Sequence, residues 1–265
     1  MKGKQYLAVL LVAAVLALGV FFIYGASAEP IGVKTFNATW SERANVSEPG
    51  EHDAQAGNIT ELMITALVTT SSWQGYVGNI SGAIQLADSS GGVLYNWSLV
   101  SPSGEIYASV NETIAWTNIQ CFNFTAVGNF STGGETPGGT SLYGMNLTQL
   151  EAAFGIKSGD ADGVDETFSL TNNHAGFYTA GRQFSVGECV SADLFDSTGA
   201  SVDGNFEQVI LYEPTTTSVI FTALLENDLA GYNNRNYDFQ MLVLEDGHGD
   251  GASSTTKYYF FVELE

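Results

Sequence analysis

The chain has 265 residues, of which 45% are apolar and 12% aromatic, so it carries enough apolar material for a packed core. Its formal net charge is −21, from 29 acidic and 8 basic residues. This balance argues against nucleic acid as a partner, because phosphate contacts need clustered Lys and Arg, and it disfavours an anionic membrane surface for the same reason. Cations and basic partners remain compatible with the charge.

Residues 1–28 have the pattern of a targeting segment. Lys2 and Lys4 precede an apolar run at residues 6–24, and the tripeptide Ala-Ser-Ala at 26–28 supplies a cleavage pattern. We expect a cleaved signal peptide. The alternatives are an uncleaved N-terminal anchor, because the run is nearly long enough to span a bilayer, and a pilin-type leader. All three place residues 29–265 outside the cytoplasm, and a membrane is a partner only if the leader is retained.

Short apolar and β-branched segments, separated by Gly, Asn and Pro, predict strands along most of the exported chain. The predicted strands are residues 31–36, two arms of a hairpin within 79–98, and residues 105–110, 119–125, 206–212, 218–225, 237–244 and 258–264. The apolar run at 62–68 suits a strand or a helix. One helix is predicted at 147–154, with Asn146 as its N-cap and Gly155 at its end. The predicted fold class is all-β, as an antiparallel β-sandwich or jelly-roll-like arrangement with one short helix.

The two halves of the exported chain differ in their surface chemistry. Residues 29–146 carry 10 acidic and 2 basic residues, whereas residues 147–265 carry 19 and 4. The first half also contains all nine N-x-S/T patterns, which are acceptors for N-linked glycans. These are at Asn37, Asn45, Asn58, Asn79, Asn96, Asn111, Asn123, Asn129 and Asn146. We therefore expect one composite β domain at 29–265 with a glycosylated half and an acidic half, and we expect assembly contacts mainly on the acidic half.

Side-chain alternation separates the acceptor asparagines from their apolar neighbours. In the hairpin at 79–98, Asn79 and Asn96 take the parity opposite to the apolar residues of their arms. The same separation holds at Asn37, Asn111 and Asn123, if each of them lies in a strand. We predict that both arms of the hairpin bury their apolar residues in the core and that the outer face carries sugar.

Cysteine is present only as Cys121 and Cys189, 68 residues apart in the sequence. In an exported chain such a pair predicts one disulfide, which would contribute roughly 4 kcal/mol by chain-entropy estimates. Two buried free thiols are the alternative. The spacing does not suggest a metal site.

An acidic cluster follows the predicted helix. Its carboxylates are those of Asp160, Asp162, Asp165 and Glu166. Carboxylates at alternate positions around a glycine are how loops assemble oxygen ligands for Ca²⁺, although Val164 occupies a ligand position of the EF-hand pattern. Calcium is one interpretation, and a solvated acidic turn that leads into a strand at 167–170 is the other. A second acidic loop at 245–251 is predicted to be a flexible connection, with calcium binding as the alternative interpretation.

Signatures of catalysis are absent from the sequence, which has no H-E-x-x-H, no G-x-S-x-G and no glycine-rich phosphate loop. His174 is predicted to be a loop residue rather than a catalytic base. Because these motifs are missing, we predict that the protein is not an enzyme; a secreted hydrolase, which would need two convergent carboxylates or a histidine-centred triad in a cleft, is the third interpretation. Trp73, Tyr76, Trp97 and Trp116 would suit an aromatic platform for sugar, but alternation predicts that Trp97 faces the core.

Several short segments of the sequence resemble those of a family of secreted archaeal cell-surface β proteins. They are W-Q-G-Y-V-G-N-I-S-G at 73–82, L-Y-N-W-S at 94–98, Y-D-F-Q-M-L-V at 237–243 and Y-Y-F-F-V-E-L at 258–264. The helix with its D-x-D-G-x-D turn is similar to the same family. The resemblance covers most of residues 60–265, and it implies a secreted archaeal surface as the setting rather than a reaction.

Export, one-sided acceptor sites and the lack of catalytic motifs together indicate a structural role. We expect a non-enzymatic, N-glycosylated extracellular protein that is a subunit of, or is associated with, an archaeal surface layer, sheath or filament. Its partners would be copies of itself or other cell-surface proteins, together with N-linked glycans. The alternative is a secreted module that binds carbohydrate or another ligand, with or without calcium. Calcium is the one cofactor that either interpretation allows.

Overall fold

A computed structural model of the protein describes residues 29–45, 48–99, 101, 103–125, 145–245 and 255–264. Its strands are β1 (Ile31–Gly32), β2 (Trp73–Gly78), β3 (Ala83–Ala87), β4 (Val93–Ser98), β5 (Gly104–Ser109), β6 (Gln120–Cys121), β7 (Phe177–Thr179), β8 (Arg182–Phe184), β9 (Ser191–Asp193), β10 (Glu207–Glu213), β11 (Ser218–Leu224), β12 (Leu229–Ala230), β13 (Asn236–Tyr237), β14 (Phe239–Leu244) and β15 (Tyr259–Leu264). Its helices are a 3-10 turn (Trp116–Asn118), α1 (Leu147–Ala153) and α2 (Val164–Thr167).

The predicted all-β class is confirmed, because the strands form antiparallel sheets. The largest sheet has the order β1-β15-β5-β11-β10-β6, and β9 also pairs with β10. Strands from the two halves of the chain pair directly, since β5 lies between β11 and β15. Smaller pairs are β2 with β14, β3 with β4, β7 with β8, and β12 with β13.

Both faces of the large sheet are covered, so its central strands are buried on either side. One face packs against β14 and the helices, with Phe221 and Met241 in that apolar cluster. The other face packs against the β7–β8 hairpin, with Ile220 and Phe184 in a second cluster. Every residue of β10 and β11 is buried. This explains why their sequences are almost continuously apolar instead of alternating with polar residues.

Several predicted elements are confirmed, and others need correction. The hairpin and the strands predicted from 105, 206, 218, 237 and 258 onward are present within one or two residues of their predicted limits, with the segment from 237 divided between β13 and β14. The strands predicted at 31–36 and 119–125 shrink to two residues each, and 167–170 makes only an isolated bridge between Ser169 and Ser191. Strands β2, β7, β8, β9 and β12 were not predicted, nor was α2.

The predicted helix and its caps are confirmed at α1. Asn146 Oδ1 accepts from Gln149 N, and Gln149 Oε1 accepts from Asn146 N, each at 2.9 Å. This reciprocal capping box satisfies two amide groups that a helix start leaves without intrahelical partners. Gly155 follows with φ +68°, the left-handed conformation that ends helices. Among the residues described, no helix is both long and apolar enough to cross a membrane.

Candidate functional site

The β3–β4 hairpin has two chemically different faces. Its register sets Ile84 opposite Trp97 and Leu86 opposite Tyr95, so these four side chains share one face. Gln85 lies opposite Asn96 on the other face. We call the first the apolar face (Ile84, Leu86, Tyr95 and Trp97) and the second the acceptor face, because Asn96 is a glycan acceptor.

The apolar face is bare, which corrects the prediction that the hairpin faces the core. Its four side chains keep between 48% and 58% of their surface exposed, and Trp97 is not in either buried cluster. The Tyr95 and Trp97 rings lie 4.7 Å apart and contact each other. The prediction failed because other elements already cover both faces of the large sheet. Alternation identifies an apolar face without saying what covers it.

The base of the hairpin is held against the rest of the fold. A Cβ added to Gly82 would lie 2.3 Å from a terminal methyl group of Leu264, so a larger residue here would make the Leu264 side chain move. Before the hairpin, Asp238 Oδ2 accepts from Ile80 N at 2.7 Å. These contacts fix where the hairpin leaves the fold, while its apolar face remains uncovered.

A second bare apolar element precedes β2. Residues 59–68, which we call the apolar segment, form neither helix nor strand, so both conformations that the spacing allowed are absent. Their large apolar side chains keep from 60% to all of their surface exposed; they are Ile59, Leu62, Met63, Ile64, Leu67 and Val68. In the described part of the chain, no backbone hydrogen bond to the segment is present outside regular elements.

The apolar segment ends at a tether of hydrogen bonds to the acidic turn. Asp162 Oδ2 accepts from Thr70 Oγ1 and from Ser72 Oγ, and Asp162 O accepts from Trp73 Nε1 at 2.7 Å. Trp73 also packs against Phe168 and Phe221. The start of β2 is therefore fixed, and Asp162 has a structural role here.

Charge is nearly absent from this part of the chain. From residue 62 to residue 104 the sequence contains one charged residue, Asp88, in a chain whose formal net charge is −21. Asp88 lies in the turn between β3 and β4, where its Oδ1 accepts from Ser90 N and Gly92 N. The apolar segment, whose one charged residue is Glu61, and the hairpin are therefore both exposed, apolar and nearly uncharged.

The acceptor asparagines that the structure describes are all accessible. Asn37, Asn45, Asn58, Asn79 and Asn96 are exposed, and Asn111, Asn123 and Asn146 are half-buried. Asn129 lies outside the described residues. Among the acceptors that the structure describes, only Asn96 lies inside a strand, so the predicted strand positions of Asn37, Asn79, Asn111 and Asn123 are wrong.

The half-buried acceptors differ in whether their amide nitrogen, the atom to which an N-linked glycan attaches, is already engaged. Asn123 Oδ1 accepts from Thr125 N and Thr125 Oγ1, each at 2.8 Å, and Asn146 caps α1 through its Oδ1. Both arrangements engage the oxygen rather than Nδ2. Asn111 instead donates from Nδ2 to Ser218 Oγ at 2.7 Å. A glycan fits the observed hydrogen bonds better at Asn123 and Asn146 than at Asn111.

The acidic turn brings together only part of the predicted calcium site. Ligand atoms of Asp165, Glu166 and Glu151 lie within 4.8 Å of one another. Asp160 Oδ2 instead accepts from Lys157 N at 2.9 Å, and Asp162 holds the tether. Glu151 was missed. It is a buried acid on α1, and acids in a core-facing helix position are the sequence signal that could have identified it.

The carboxylates of this cluster repel one another. Burial raises the pKa of Glu151, and the nearby carboxylates of Asp165 and Asp160 raise it further, although a hydrogen bond from Val164 N acts against this. A hydrogen bond with Asp165 is the main cause of the raised pKa of Glu166. A divalent cation would neutralise such a group of oxygens. Calcium binding, predicted at Asp160, Asp162, Asp165 and Glu166, stays a prediction, and the structure groups Asp165 and Glu166 with Glu151.

A second group of convergent carboxylates is enclosed in the core. Glu105 and Glu263 are opposite each other on β5 and β15, and both are buried. Tyr107 Oη lies 3.1 Å from Glu263 Oε2 and 3.4 Å from Glu105 Oε2. Burial, with these two carboxylates, raises the pKa of Tyr107 well above its ordinary value. Because Tyr107 is fully buried, this group is a polar part of the core rather than an open cleft.

His174 lies in a loop beside the disulfide. Its Nε2 accepts from Cys189 N at 2.9 Å, which assigns the ring proton to Nδ1, and Nδ1 donates to Ala175 O at 2.7 Å. Both ring nitrogens are thus engaged by the backbone, and burial lowers the pKa of His174. The predicted disulfide between Cys121 and Cys189 is confirmed, and it joins β6 to the residues before β9.

An apolar cavity of about 330 Å³ lies between α1 and the β10–β11 turn. Leu150, Phe154, Val219 and Tyr258 contribute to its wall, and none of its lining residues is charged. Its polar lining groups are the hydroxyls of Thr217, Thr256 and Tyr258, and the Tyr258 hydroxyl donates to Leu244 O.

Comparisons of the chain with family models, with curated proteins and with solved structures find no match.

Proposed function

We propose that the protein is a non-enzymatic, N-glycosylated structural protein of the archaeal cell exterior, either a subunit of a surface layer, sheath or filament or a protein associated with one. The observation that carries this proposal is the β3–β4 hairpin, which has an acceptor asparagine on one face and four uncovered apolar side chains on the other. A sugar on the acceptor face would leave the apolar face free for a protein partner.

A bare hairpin of this kind is unfavourable for a protein that stays alone. A two-stranded hairpin is marginally stable in water, and contiguous exposed apolar surface marks places where proteins associate. The disulfide supports an oxidising compartment such as the cell exterior. The predicted leader and the family resemblance support the same location.

The assembly surface that we propose lies on the first half of the chain, and this revises the expectation from the sequence. Of the large apolar residues exposed in the described part of the chain, 16 lie in residues 29–146 and 6 in residues 147–265. Acceptor sites and exposed apolar surfaces therefore both lie within the first half of the chain. We propose that sugars and protein contacts use different faces of that half.

Imaging of native cell-surface material tests the proposal. Antibodies against this chain should label a layer, sheath or filament by electron microscopy, and the labelled material should contain glycosylated chain by mass spectrometry. A protein found only as a free monomer in the medium would contradict the proposed function.

Carbohydrate binding is the second candidate, because Tyr95 and Trp97 form an exposed aromatic pair that stacking on a sugar could use. Retention in gels that contain chitin or cellulose would measure it. Trp97→Ala should abolish retention, whereas Trp40→Ala, at another exposed tryptophan, should not. Equal migration of wild type and both variants, with and without polysaccharide, would exclude this candidate for these two sugars.

A further inference from the structure

We propose, on the basis of the structural role above, that the apolar segment of one copy docks as a short helix on the apolar face of the β3–β4 hairpin in a second copy. The two surfaces in contact are different parts of the chain and belong to two copies. Each copy would therefore use its apolar segment with one neighbour and its hairpin with another. Head-to-tail contacts of this type build rings or open filaments rather than closed dimers.

The sequence of the apolar segment repeats the start of a helix that the structure already contains. Asn58-Ile-Thr-Glu-Leu matches Asn146-Leu-Thr-Gln-Leu, in which Asn146 and Gln149 form the capping box of α1. Asn58 and Glu61 have the same spacing as that box. The apolar residues of the segment also fall on one helical stripe: they are Ile59, Leu62, Met63, Ala66 and Leu67.

An isolated helix of this length is not stable in water, which explains why the segment is irregular when nothing covers it. Helix nucleation is costly, and helices shorter than about 12 residues depend on packing of their apolar side. The backbone of the segment would satisfy its own hydrogen bonds once helical. A helix is therefore the conformation that can lie across a sheet face without leaving buried amides unpaired.

The apolar face of the hairpin is the matching receptor. It presents two aliphatic and two aromatic side chains, each about half exposed, on a two-stranded sheet with no covering element in the described residues. A helix on one face of a sheet is a common way to bury such a surface. Asn96 lies on the opposite face, so a glycan there would not obstruct the contact.

Charge favours a second copy of the chain as the partner. A chain of net charge −21 repels its own copies wherever acidic surfaces approach. The apolar segment and the hairpin together contain only two charged residues, Glu61 and Asp88, so this is where two copies can approach with the least repulsion. A basic partner would be attracted instead to the acidic second half.

The structure also separates the two elements within one chain. The tether at Asp162 holds the end of the apolar segment at the Trp73 end of β2, whereas the hairpin follows the Gly78 end. Six strand residues separate these ends by about 17 Å. In the structure the segment and the hairpin both remain exposed, so neither covers the other.

Cysteine cross-linking between two different variants tests the contact. One variant carries Met63→Cys on the stripe and the other carries Leu86→Cys on the apolar face; the native cysteines are already joined to each other. Under mild oxidation, a mixture of the two variants should give a disulfide-linked dimer, and neither variant alone should do so. As a matched control, Gln85→Cys on the acceptor face should give at least tenfold less dimer with Met63→Cys.

Three outcomes would overturn the inference. Dimers formed by Leu86→Cys alone would show that two hairpins pair face to face. A disulfide within single chains of the double variant, with no dimer in the mixture, would show that the segment folds back on its own hairpin. If imaging shows assembled material but no cross-link forms, this contact is rejected and the proposed function still stands. A native protein that is a monomer would contradict both the contact and the proposed function.

A helix breaker in the segment supplies a second readout. Ala66→Pro should weaken self-association about a hundredfold, which corresponds to the roughly 3 kcal/mol cost of proline inside a helix. The thermal unfolding of the monomer should not change, because the segment is irregular and exposed there. Unchanged self-association, measured by sedimentation velocity, would overturn the helical docking.

Discussion

Two hairpins of this protein have similar chemistry and opposite environments. In the β10–β11 hairpin every residue of both strands is buried, whereas in the β3–β4 hairpin every residue of both strands is exposed. Both contain aliphatic and aromatic side chains opposite each other across the strands. The difference lies in what covers them, since β14, the helices and β7–β8 enclose the first and nothing described covers the second.

This contrast indicates which hairpin stabilises the monomer and which one is available for association with a partner. The covered hairpin is at the centre of the largest sheet and should determine the stability of the monomer. The bare hairpin should contribute little to monomer stability and much to association. The predictions below test that division, from the largest expected effect to the smallest.

The disulfide should give the largest effect, because Cys121 on β6 lies beside Leu211 of the covered hairpin. Replacing both cysteines by alanine should lower the free energy of unfolding by about 4 kcal/mol, the chain-entropy value for a loop of 68 residues. Urea unfolding of the wild type and the double variant measures the difference. A loss below about 1 kcal/mol would mean that the buried side of the sheet does not need this link.

A matched pair of isoleucines compares the two hairpins directly. Ile220 on β11 is fully buried, and Ile84 on β3 is 48% exposed. Ile220→Ala should cost about 3 kcal/mol of monomer stability through lost burial and a cavity, whereas Ile84→Ala should stay within about 0.5 kcal/mol. Urea unfolding of both variants at low protein concentration checks this. Similar losses for the two would show that the β3–β4 hairpin belongs to the monomer core.

Calcium should have a moderate effect if the acidic cluster binds it. Saturating Ca²⁺ should raise the Tm of the wild type, with each kcal/mol of binding adding about 2–4 °C for a chain of this size. Glu151→Gln removes a buried ligand and should remove the response, whereas Asp88→Asn, in the hairpin turn, should retain it. A wild-type Tm that does not change with calcium would reject the site.

His174 should give a smaller effect that depends on pH. Burial lowers the pKa of the folded protein's His174 below the ordinary value of about 6.5 that the unfolded chain retains. As the pH falls below about 6.5, the unfolded chain binds a proton before the folded one does, so stability is lost toward acid. The loss should be present in wild type and reduced in His174→Gln, as measured by Tm between pH 5 and 7.5.

The pH dependence of the Tm of His174→Gln must be subtracted from that of the wild type, because buried acids change stability with pH in the direction opposite to His174. Burial raises the pKa of Glu151 and Glu207, so the folded state takes up protons first at these sites and gains stability as the pH falls. These acids are unchanged in His174→Gln. Identical pH profiles for the two proteins would contradict the assignment of His174 as a neutral structural group.

The sequence predicts the local features of this fold better than their burial. Strong β-branched runs and the capping box at Asn146 are local signals, and the corresponding elements are present. Strands β7 to β9 are three residues each and carry little periodicity, so they depend on packing against the large sheet. The exposed state of Trp97 was not predictable, because alternation assigns a face and not its environment.

In the candidate sites, too, the sequence predicts local features better than contacts between distant residues. Cys121 and Cys189 form the predicted pair because no other cysteine competes. The calcium prediction was only partly successful in grouping residues, since Asp165 and Glu166 meet Glu151 on α1 instead of Asp160 and Asp162. Glu151 is near in space because α1 and α2 contact each other, which is a tertiary effect.

Sedimentation velocity of the native glycosylated protein tests most directly whether the apolar face of the hairpin is an assembly surface. The wild type and Gln85→Lys, which places a charge on the acceptor face, should sediment as multimers. Trp97→Lys, which places the same charge on the apolar face, should sediment as a monomer with unchanged thermal unfolding. Monomers of all three proteins, or equal assembly of both variants, would contradict the account.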